Sequence, residues 1–301
     1  MSTVQPTARP PVRPSARRAD ALLVAATAIW GVSFVIVKEA LTGASPLAFL
    51  SLRFAIAAVA LAPFTDLRTR FSRAELRGGG LLTLLLASGF AAQAVGLQYT
   101  TPARSAFIVA LSSVLAPVVA FVVLGQRPRW AVAVAVAIAG GGIYLLTGPD
   151  TGGLNRGDLL TLITAVVFGG QIVAVAELSR RHDARRLVWL QLAGTAVAAG
   201  VAAFALEPVR VSASLAVVGA LVFTGVGATA LALVWQMDAQ RHMSAARAAL
   251  IFCLEPVFAA GASWLWLGER LSLTQWIGAG LILGGMVLAE VPQLLRRDAV
   301  L

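Results

Sequence analysis

Apolar runs long enough to cross a membrane dominate the pattern of hydrophobic and polar positions along this chain. Short segments rich in Pro, Gly, Thr and Arg separate the runs, and such residues mark turns between regular elements. A helix needs about 20 apolar residues to cross ~30 Å of hydrocarbon. The pattern therefore predicts an all-α integral membrane protein with ten transmembrane helices, over 21–41, 46–64, 79–98, 103–123, 130–147, 157–178, 187–206, 215–238, 246–267 and 274–291.

Composition supports lipid as the solvent of this chain. Of its 301 residues, 58% are hydrophobic and 13% are charged, whereas soluble domains carry about 25% charged residues. The net charge of +10 comes from short arginine clusters between the apolar runs. Because a nucleic-acid-binding domain gathers its basic residues into one patch or stripe, this distribution predicts no nucleic-acid partner.

The positive charges also predict an orientation. With the N-terminus inside the cell, 18 of the 24 Lys and Arg residues fall in cytoplasmic segments and five in external ones, as the positive-inside rule requires. The protein is therefore predicted to be N-in/C-in and multi-pass in the cytoplasmic (inner) membrane. Residues 1–20 are predicted to form a disordered basic tail, and residues 292–301 a cytoplasmic C-terminal tail.

The two halves of the chain resemble each other at polar and aromatic positions. Shifting the first half by 138 residues, or by 143 in its later part, matches these positions in order. The matched pairs are Asp20 with Asp158, Trp30 with Phe168, Ser33 with Gln171, Glu39 with Glu177, Arg53 with Gln191, Gln93 with Gln236, Arg104 with Arg247, and Ser112 with Glu255. Residues 21–147 and 157–291 are thus predicted to be two five-helix repeats, joined by the loop 148–156.

An odd number of spans in each repeat has a topological consequence, because the second copy must enter the membrane in the opposite sense. Inverted repeats are common in secondary transporters, whose ligand site lies near the midplane between the copies. If the two halves exchange their conformations, the same site opens first to one face of the membrane and then to the other. The sequence therefore predicts a transporter with alternating access; the alternative from another class is a scaffold subunit without a solute pathway.

Enzymatic and cofactor chemistry have little support in the sequence. Cys253 is the one cysteine and lies in an apolar run, while His182 and His242 lie in polar loops, so neither a disulfide framework nor a metal centre is predicted. The chain has no His-Glu-x-x-His zinc motif and no phosphate-binding G-x-x-x-x-G-K-[ST] loop. We therefore predict no catalytic residues, no cofactor and no direct use of ATP.

Several segments stand out by their residues, order and spacing. In the first half they are Trp30-Gly31-Val32-Ser33-Phe34, Pro46 through Leu52-Arg53-Phe54, and Tyr99-Thr100-Thr101. In the second half they are Leu254-Glu255-Pro256-Val257-Phe258-Ala259 and Trp266-Leu267-Gly268-Glu269-Arg270-Leu271. Together these segments resemble the EamA family of the drug/metabolite transporter superfamily. The resemblance implies a ten-helix exporter, closest to the bacterial amino-acid and metabolite exporters of that family. One departure is Gln126, where the first repeat usually carries the glutamate seen at Glu269.

Aromatic and polar residues at membrane depth are candidates for a substrate cavity, since a medium-sized amphipathic ligand needs an apolar pocket with a few polar groups. Gln and Ser can instead join helices by hydrogen bonds, so packing remains the alternative for each of them. The candidate cavity residues are Trp30, Ser33, Phe34, Phe90, Gln93, Tyr99, Ser112, Phe168, Gln171, Trp235, Gln236, Phe252 and Glu255.

Charged residues and prolines within the spans are interpreted separately. Arg53 is predicted to be structural or gating, by pairing with Glu39 or reaching the outer surface, with a substrate-carboxylate contact as the alternative. Glu255 precedes Pro256, which breaks the helical ladder; it is a candidate for binding a substrate amine or a coupled proton, and a buried structural carboxyl is the alternative. Pro117 is predicted to weaken the fourth span.

The small number of charges at membrane depth predicts the class of solute. Nucleotide sugars would need several buried cations, and multiply cationic drugs would need several carboxylates, so an amino acid, aromatic or hydrophobic, or a similar neutral or zwitterionic metabolite fits best. A multidrug or nucleotide-sugar transporter is the alternative. Glycines at 140–142 and 280–284 predict close helix approach. A monomer is predicted, since one chain already supplies both orientations.

Overall fold

A computed structural model describes residues 16–128, 130–148, 153–240, 242–243 and 245–297. Over these ranges the fold consists of helices, and the extended structure is limited to one isolated bridge between Ala44 and Val211. Residues 16–20, predicted to be part of a disordered tail, instead begin the first helix, where Ala19 is buried, and residues 292–297 of the predicted C-terminal tail continue the last helix. The predicted disorder of residues 1–15 and the last four residues of the C-terminal tail lie outside the described residues.

The helices follow the ten predicted apolar runs. The first half contains α1 (Ala16–Ala40), α2 (Pro46–Leu61), α3 (Arg73–Leu97), α4 (Pro102–Leu124) and α5 (Trp130–Thr147). The second half contains α6 (Arg156–Leu178), α7 (Ala184–Leu206), α8 (Leu215–Val222), a π-helical segment (Phe223–Leu231), α9 (Ala232–Gln240), α10 (Ala245–Phe252), α11 (Glu255–Leu267) and α12 (Leu273–Arg297). Among the described residues, nine helical segments are long and apolar enough to span a membrane, and α12 adds a shorter apolar stretch, Leu273–Ala289.

Three further spans differ in detail from the prediction. Helix α3 begins six residues early because the Ser72 side chain accepts from the Glu75 amide and the Glu75 carboxylate accepts from the Ser72 amide, at 3.1 and 2.8 Å, which caps the helix. The eighth span is not a continuous α-helix, because the π segment separates α8 from α9. The ninth span breaks between α10 and α11 ahead of Pro256, which cannot donate a backbone hydrogen bond. By contrast, Pro117 leaves α4 continuous.

Contacts between the helices occur in pairs that the internal repeat relates. Helix α1 packs against α11 and α9, and its counterpart α6 packs against α4 and α3. Helix α2 packs against its counterpart α7, and α5 against its counterpart α12. Exchanging the two halves therefore reproduces this set of neighbours, with the α8–α9 span as the counterpart of α3 and the α10–α11 span as the counterpart of α4.

Glycines allow a close contact between α5 and α12. A Cβ on Gly142 would lie 2.6 Å from the Gly278 carbonyl oxygen, and a Cβ on Gly278 would lie 2.6 Å from the Gly142 carbonyl oxygen. Close approach was predicted for the glycines at 140–142 and 280–284 with their partner left open, and Gly142 makes such an approach. Gly140, Gly141, Gly280 and Gly284 face open space instead.

Candidate functional site

A cavity of about 430 Å³ lies at the centre of the helical bundle. Helices from both halves line it: α1 to α4 from the first half, and α6, α7 and the eighth, ninth and tenth spans from the second. Most of the lining side chains are apolar, and the polar ones are few. A pocket of this composition suits a small amphipathic solute.

Eleven of the thirteen predicted cavity residues line this space. They are Trp30, Ser33, Phe34, Phe90, Gln93, Ser112, Phe168, Gln171, Gln236, Phe252 and Glu255. Tyr99 instead follows the end of α3 and is 55% exposed. Trp235 lines a separate pocket of about 250 Å³ together with Arg18 and Asp238. The binding role of the eleven remains a prediction.

Arg53 also lines the cavity, so its structural or gating role and the alternative of a substrate contact both stay predictions. Its guanidinium is buried, with the residue 7% exposed, and Nε donates to the Thr229 hydroxyl at 3.3 Å. The same group lies over the rings of Phe90 and Phe54, at 5.1 and 5.5 Å from their centroids. The predicted pairing with Glu39 is wrong, because Glu39 is exposed near the end of α1 while Arg53 faces the interior.

Gln191 and Thr229 are cavity residues that the sequence analysis missed. A signal for Gln191 was present, since it is the repeat counterpart of Arg53. Thr229 had no such signal, because its counterpart in the repeat, Leu86, is an ordinary apolar residue.

The lining of the cavity follows the internal repeat. Both members of five matched pairs line it: Trp30 with Phe168, Ser33 with Gln171, Arg53 with Gln191, Gln93 with Gln236, and Ser112 with Glu255. The charges, however, do not follow the repeat. The cation of Arg53 in the first half matches the neutral amide of Gln191 in the second half. The carboxylate of Glu255 in the second half matches the neutral hydroxyl of Ser112 in the first half.

Arg53 and Glu255 lie on one wall of the cavity, which includes part of the π segment. The Trp30 indole donates to the Ala228 carbonyl at 2.6 Å, and its ring lies 5.9 Å from that of Phe252. Thr229, the residue after Ala228, holds Arg53. Helix α11 starts at Glu255 shortly after Phe252, and Gly31 allows the Glu255 backbone to approach α1. The wall therefore presents both a cation and a carboxylate to the same space.

Aromatic rings form the adjoining part of the lining, next to Arg53. Phe90 contacts Phe54 and Phe168 edge-on, each at 5.1 Å between ring centroids. Gly89 makes the last contact possible, because a Cβ at this position would overlap the Phe168 ring. Next to Phe168 on α6, Gln171 donates to Gln191 of α7 at 2.6 Å. Within the described residues, no cluster of three His, Cys, Asp or Glu side chains is arranged to hold a metal ion.

Two ion pairs related by the repeat lie at opposite ends of the bundle. Arg104 contacts Asp158 at 2.5 Å, with both side chains buried, and Arg247 contacts Asp20 in a more exposed pair. Lys38 lies at the same end as the Arg104–Asp158 pair, because its ammonium donates to the Thr100 carbonyl at 3.1 Å and the Thr100 hydroxyl donates to Asp158. Asp20 precedes Lys38 by 18 residues on α1, which is roughly 27 Å along a helix.

Comparison with known proteins places these features in a family. The profile of the EamA-like transporter family matches residues 17–148 and 155–290. An Archaeoglobus fulgidus protein named an uncharacterized transporter is 32% identical over 274 residues, which cover 91% of this chain and 86% of that protein. A Streptantibioticus cattleyicolor protein named a probable terminal-alkyne amino-acid exporter is 28% identical over 289 residues, covering 91% and 94%.

A solved crystal structure has the same fold. It superposes with a TM-score of 0.66 at 19% sequence identity and covers 93% of this chain and 98% of its own. The family profile matches once in each half, so the internal repeat seen in the sequence consists of two copies of one family domain. The protein is therefore a multi-pass membrane transporter that belongs to the EamA-like transporter family.

Proposed function

We propose that this protein exports amino acids, or similar small zwitterionic metabolites, across the cytoplasmic membrane by alternating access. The observation that carries the proposal is the central cavity, which joins one buried cation and one carboxylate to a mostly apolar lining. The relative named as a probable amino-acid exporter supports the same class of substrate.

The charge of the cavity favours a zwitterion over the other solutes of this superfamily. Among the described residues, no carboxylate lies within 4.0 Å of the Arg53 guanidinium. A buried cation is costly without a counterion, and the carboxylate of a bound amino acid supplies one. The amine of the same molecule can meet Glu255. A nucleotide sugar carries at least two negative charges, and Arg53 is the one cationic side chain in the described lining.

The contacts near Lys38 support inverted repeats. Lys38, at the end of α1, bonds to Thr100, and the Thr100 hydroxyl donates to Asp158 at 2.6 Å. Asp158 lies at the start of α6, the first helix of the second half. The second half therefore starts near the end of the first helix of the first half, as expected if the two copies cross the membrane in opposite senses.

Labelling of repeat-related loops tests this topology. Arg70 and Ala213 are exposed, correspond under the 143-residue shift, and lie in the loops after α2 and α7. In a background without Cys253, we expect an impermeant maleimide to label A213C in intact cells and R70C only after permeabilisation. Labelling of both from the same side would contradict inverted repeats.

Counterflow in proteoliposomes tests the substrate and the role of Glu255. We expect exchange of a labelled neutral amino acid by the wild type, and a rise in KM on the order of tenfold for E255Q, because a charged hydrogen bond to the amine is lost. E39Q removes an exposed carboxylate outside the cavity and serves as the matched control. Transport of nucleotide sugars without any amino acid would refute the proposal, and an unchanged E255Q would remove Glu255 from it.

A further inference from the structure

An incompletely satisfied pair of amides lines the cavity between α6 and α7. Gln171 and Gln191 are 8% and 7% exposed, and the Gln171 amide nitrogen donates to the Gln191 carbonyl oxygen at 2.6 Å. The carbonyl oxygen of Gln171 is itself buried and has no hydrogen-bond partner among the described residues. Gln171 therefore carries an unused acceptor on a side chain that lines the cavity.

Such an acceptor needs an explanation, because buried polar atoms in folded proteins nearly always have a partner. The hydroxyls of two other lining residues, Ser33 and Thr229, are satisfied by the protein. The Ser33 hydroxyl, at the position that matches Gln171 in the repeat, donates to the Trp30 carbonyl at 2.6 Å. The Thr229 hydroxyl donates to the Thr224 carbonyl at 2.7 Å. Thr195 also has an unpartnered buried hydroxyl, but it does not line the cavity.

The open acceptor is separated from Arg53 by a row of aromatic rings. Arg53 lies 5.1 Å from the Phe90 centroid, and Phe90 lies 5.1 Å from Phe168. Gln171 follows Phe168 by three residues on α6, so both side chains point to the same face of that helix. A solute whose carboxylate contacts Arg53 can therefore lay an apolar body along these rings and reach Gln171 with its far end.

We infer that Gln171 determines specificity by accepting a hydrogen bond from the distal part of the substrate. The inference rests on the proposed function and narrows its substrate class to amino acids whose apolar side chain ends in an O–H or N–H donor. An otherwise identical solute without that donor leaves the buried carbonyl unpaired, and sites of this kind reject such analogues.

Matched substrates that differ in their distal group test this inference. Tyrosine and phenylalanine form a long pair, with a hydroxyl in place of a hydrogen, and homoserine and norvaline form a short pair, with a hydroxyl in place of a methyl group. In counterflow competition with the wild type, we expect the hydroxyl-bearing member of the pair that reaches Gln171 to compete on the order of tenfold better. In Q171L the preference disappears, because the acceptor is lost at similar side-chain volume.

Two further variants separate specificity from folding. Q171E keeps a carbonyl or carboxylate acceptor and is expected to retain the preference. T195V removes an unpartnered buried hydroxyl outside the cavity, and is expected to leave the ratio within each pair unchanged. The same ratio in wild type and Q171L, or an equal change in T195V, would overturn the role of Gln171 alone. Absence of transport of every amino acid by the wild type would overturn the proposed function together with it.

Discussion

The D158N variant is expected to unfold at a temperature on the order of 10 °C lower than the wild type, whereas D20N should unfold within about 2 °C of it. The two aspartates occupy matching positions of the repeat, and each pairs with a matching arginine, Arg104 or Arg247. The variants therefore make the same chemical change at two positions that differ mainly in burial.

The difference follows from the surroundings of each carboxylate. The Asp158 side chain is fully buried. Besides the hydrogen bond from Arg104, it accepts one from the Thr100 hydroxyl at 2.6 Å and one from the Asn155 backbone N–H at 3.1 Å. Removing its charge takes a charged partner away from the buried guanidinium of Arg104, and loss of one member of a buried ion pair is strongly destabilising. Arg247 is 54% exposed in its side chain, so water and ions can replace its partner.

Thermal unfolding of purified protein in one detergent measures both variants under identical conditions. Expression of each variant in the membrane fraction serves as a control for insertion. Equal shifts for D158N and D20N would mean that burial does not distinguish the two ion pairs, and the account of their unequal energies would be wrong.

The second large effect is expected on transport. R53Q gives the first half the residue that the second half carries at the matching position, Gln191, and should raise KM for a neutral amino acid by on the order of 100-fold. Carboxylate binding by a buried guanidinium is lost, while a side chain that can occupy the same region remains. The decarboxylated amine of the same amino acid should compete equally well with wild type and R53Q, since it has no group for Arg53 to bind.

The unfolding temperature of R53Q distinguishes a substrate-binding role of Arg53 from a structural one. Among the described residues Arg53 has no carboxylate partner, so its removal is expected to leave the unfolding temperature unchanged or higher, because burial of the unpaired cation is no longer required. R70Q, in an exposed loop, is the matched control for loss of one arginine. A large fall in unfolding temperature, with KM for the amino acid unchanged, would restore the structural interpretation of Arg53.

The arginines illustrate how far sequence reasoning extends. Arg186 was interpreted only as one of many positive charges that orient the chain, yet it is 6% exposed. It donates to Glu75 at 2.7 Å and to the Asp66 carbonyl at 2.6 Å, and its guanidinium lies over the Phe71 ring. This arginine thus holds the loop between α2 and α3 against α7. In that loop, a hydrogen bond from the Thr69 hydroxyl lowers the pKa of the Asp66 carboxyl.

The repeat explains why much of the candidate site was nevertheless foreseeable. Matching positions in two copies of one domain occupy equivalent places around the cavity, so a polar residue matched by another polar residue in an apolar span marks the lining. Gln93 with Gln236 and Ser33 with Gln171 were found in this way. Tyr99 was included for its residue type and Trp235 because it adjoins Gln236, and both lie outside the cavity.

The amino-acid order alone was sufficient for the membrane class, the ten apolar helices and the division into two similar halves, because apolar length, turn chemistry and repeated spacing are local properties that a linear chain displays directly. It was not sufficient for the direction in which Arg53 points, the π segment that carries Thr229, or the open acceptor of Gln171. These features depend on how each helix is rotated about its axis and what it meets across the interface. Packing of all ten spans determines both, and no single span specifies them.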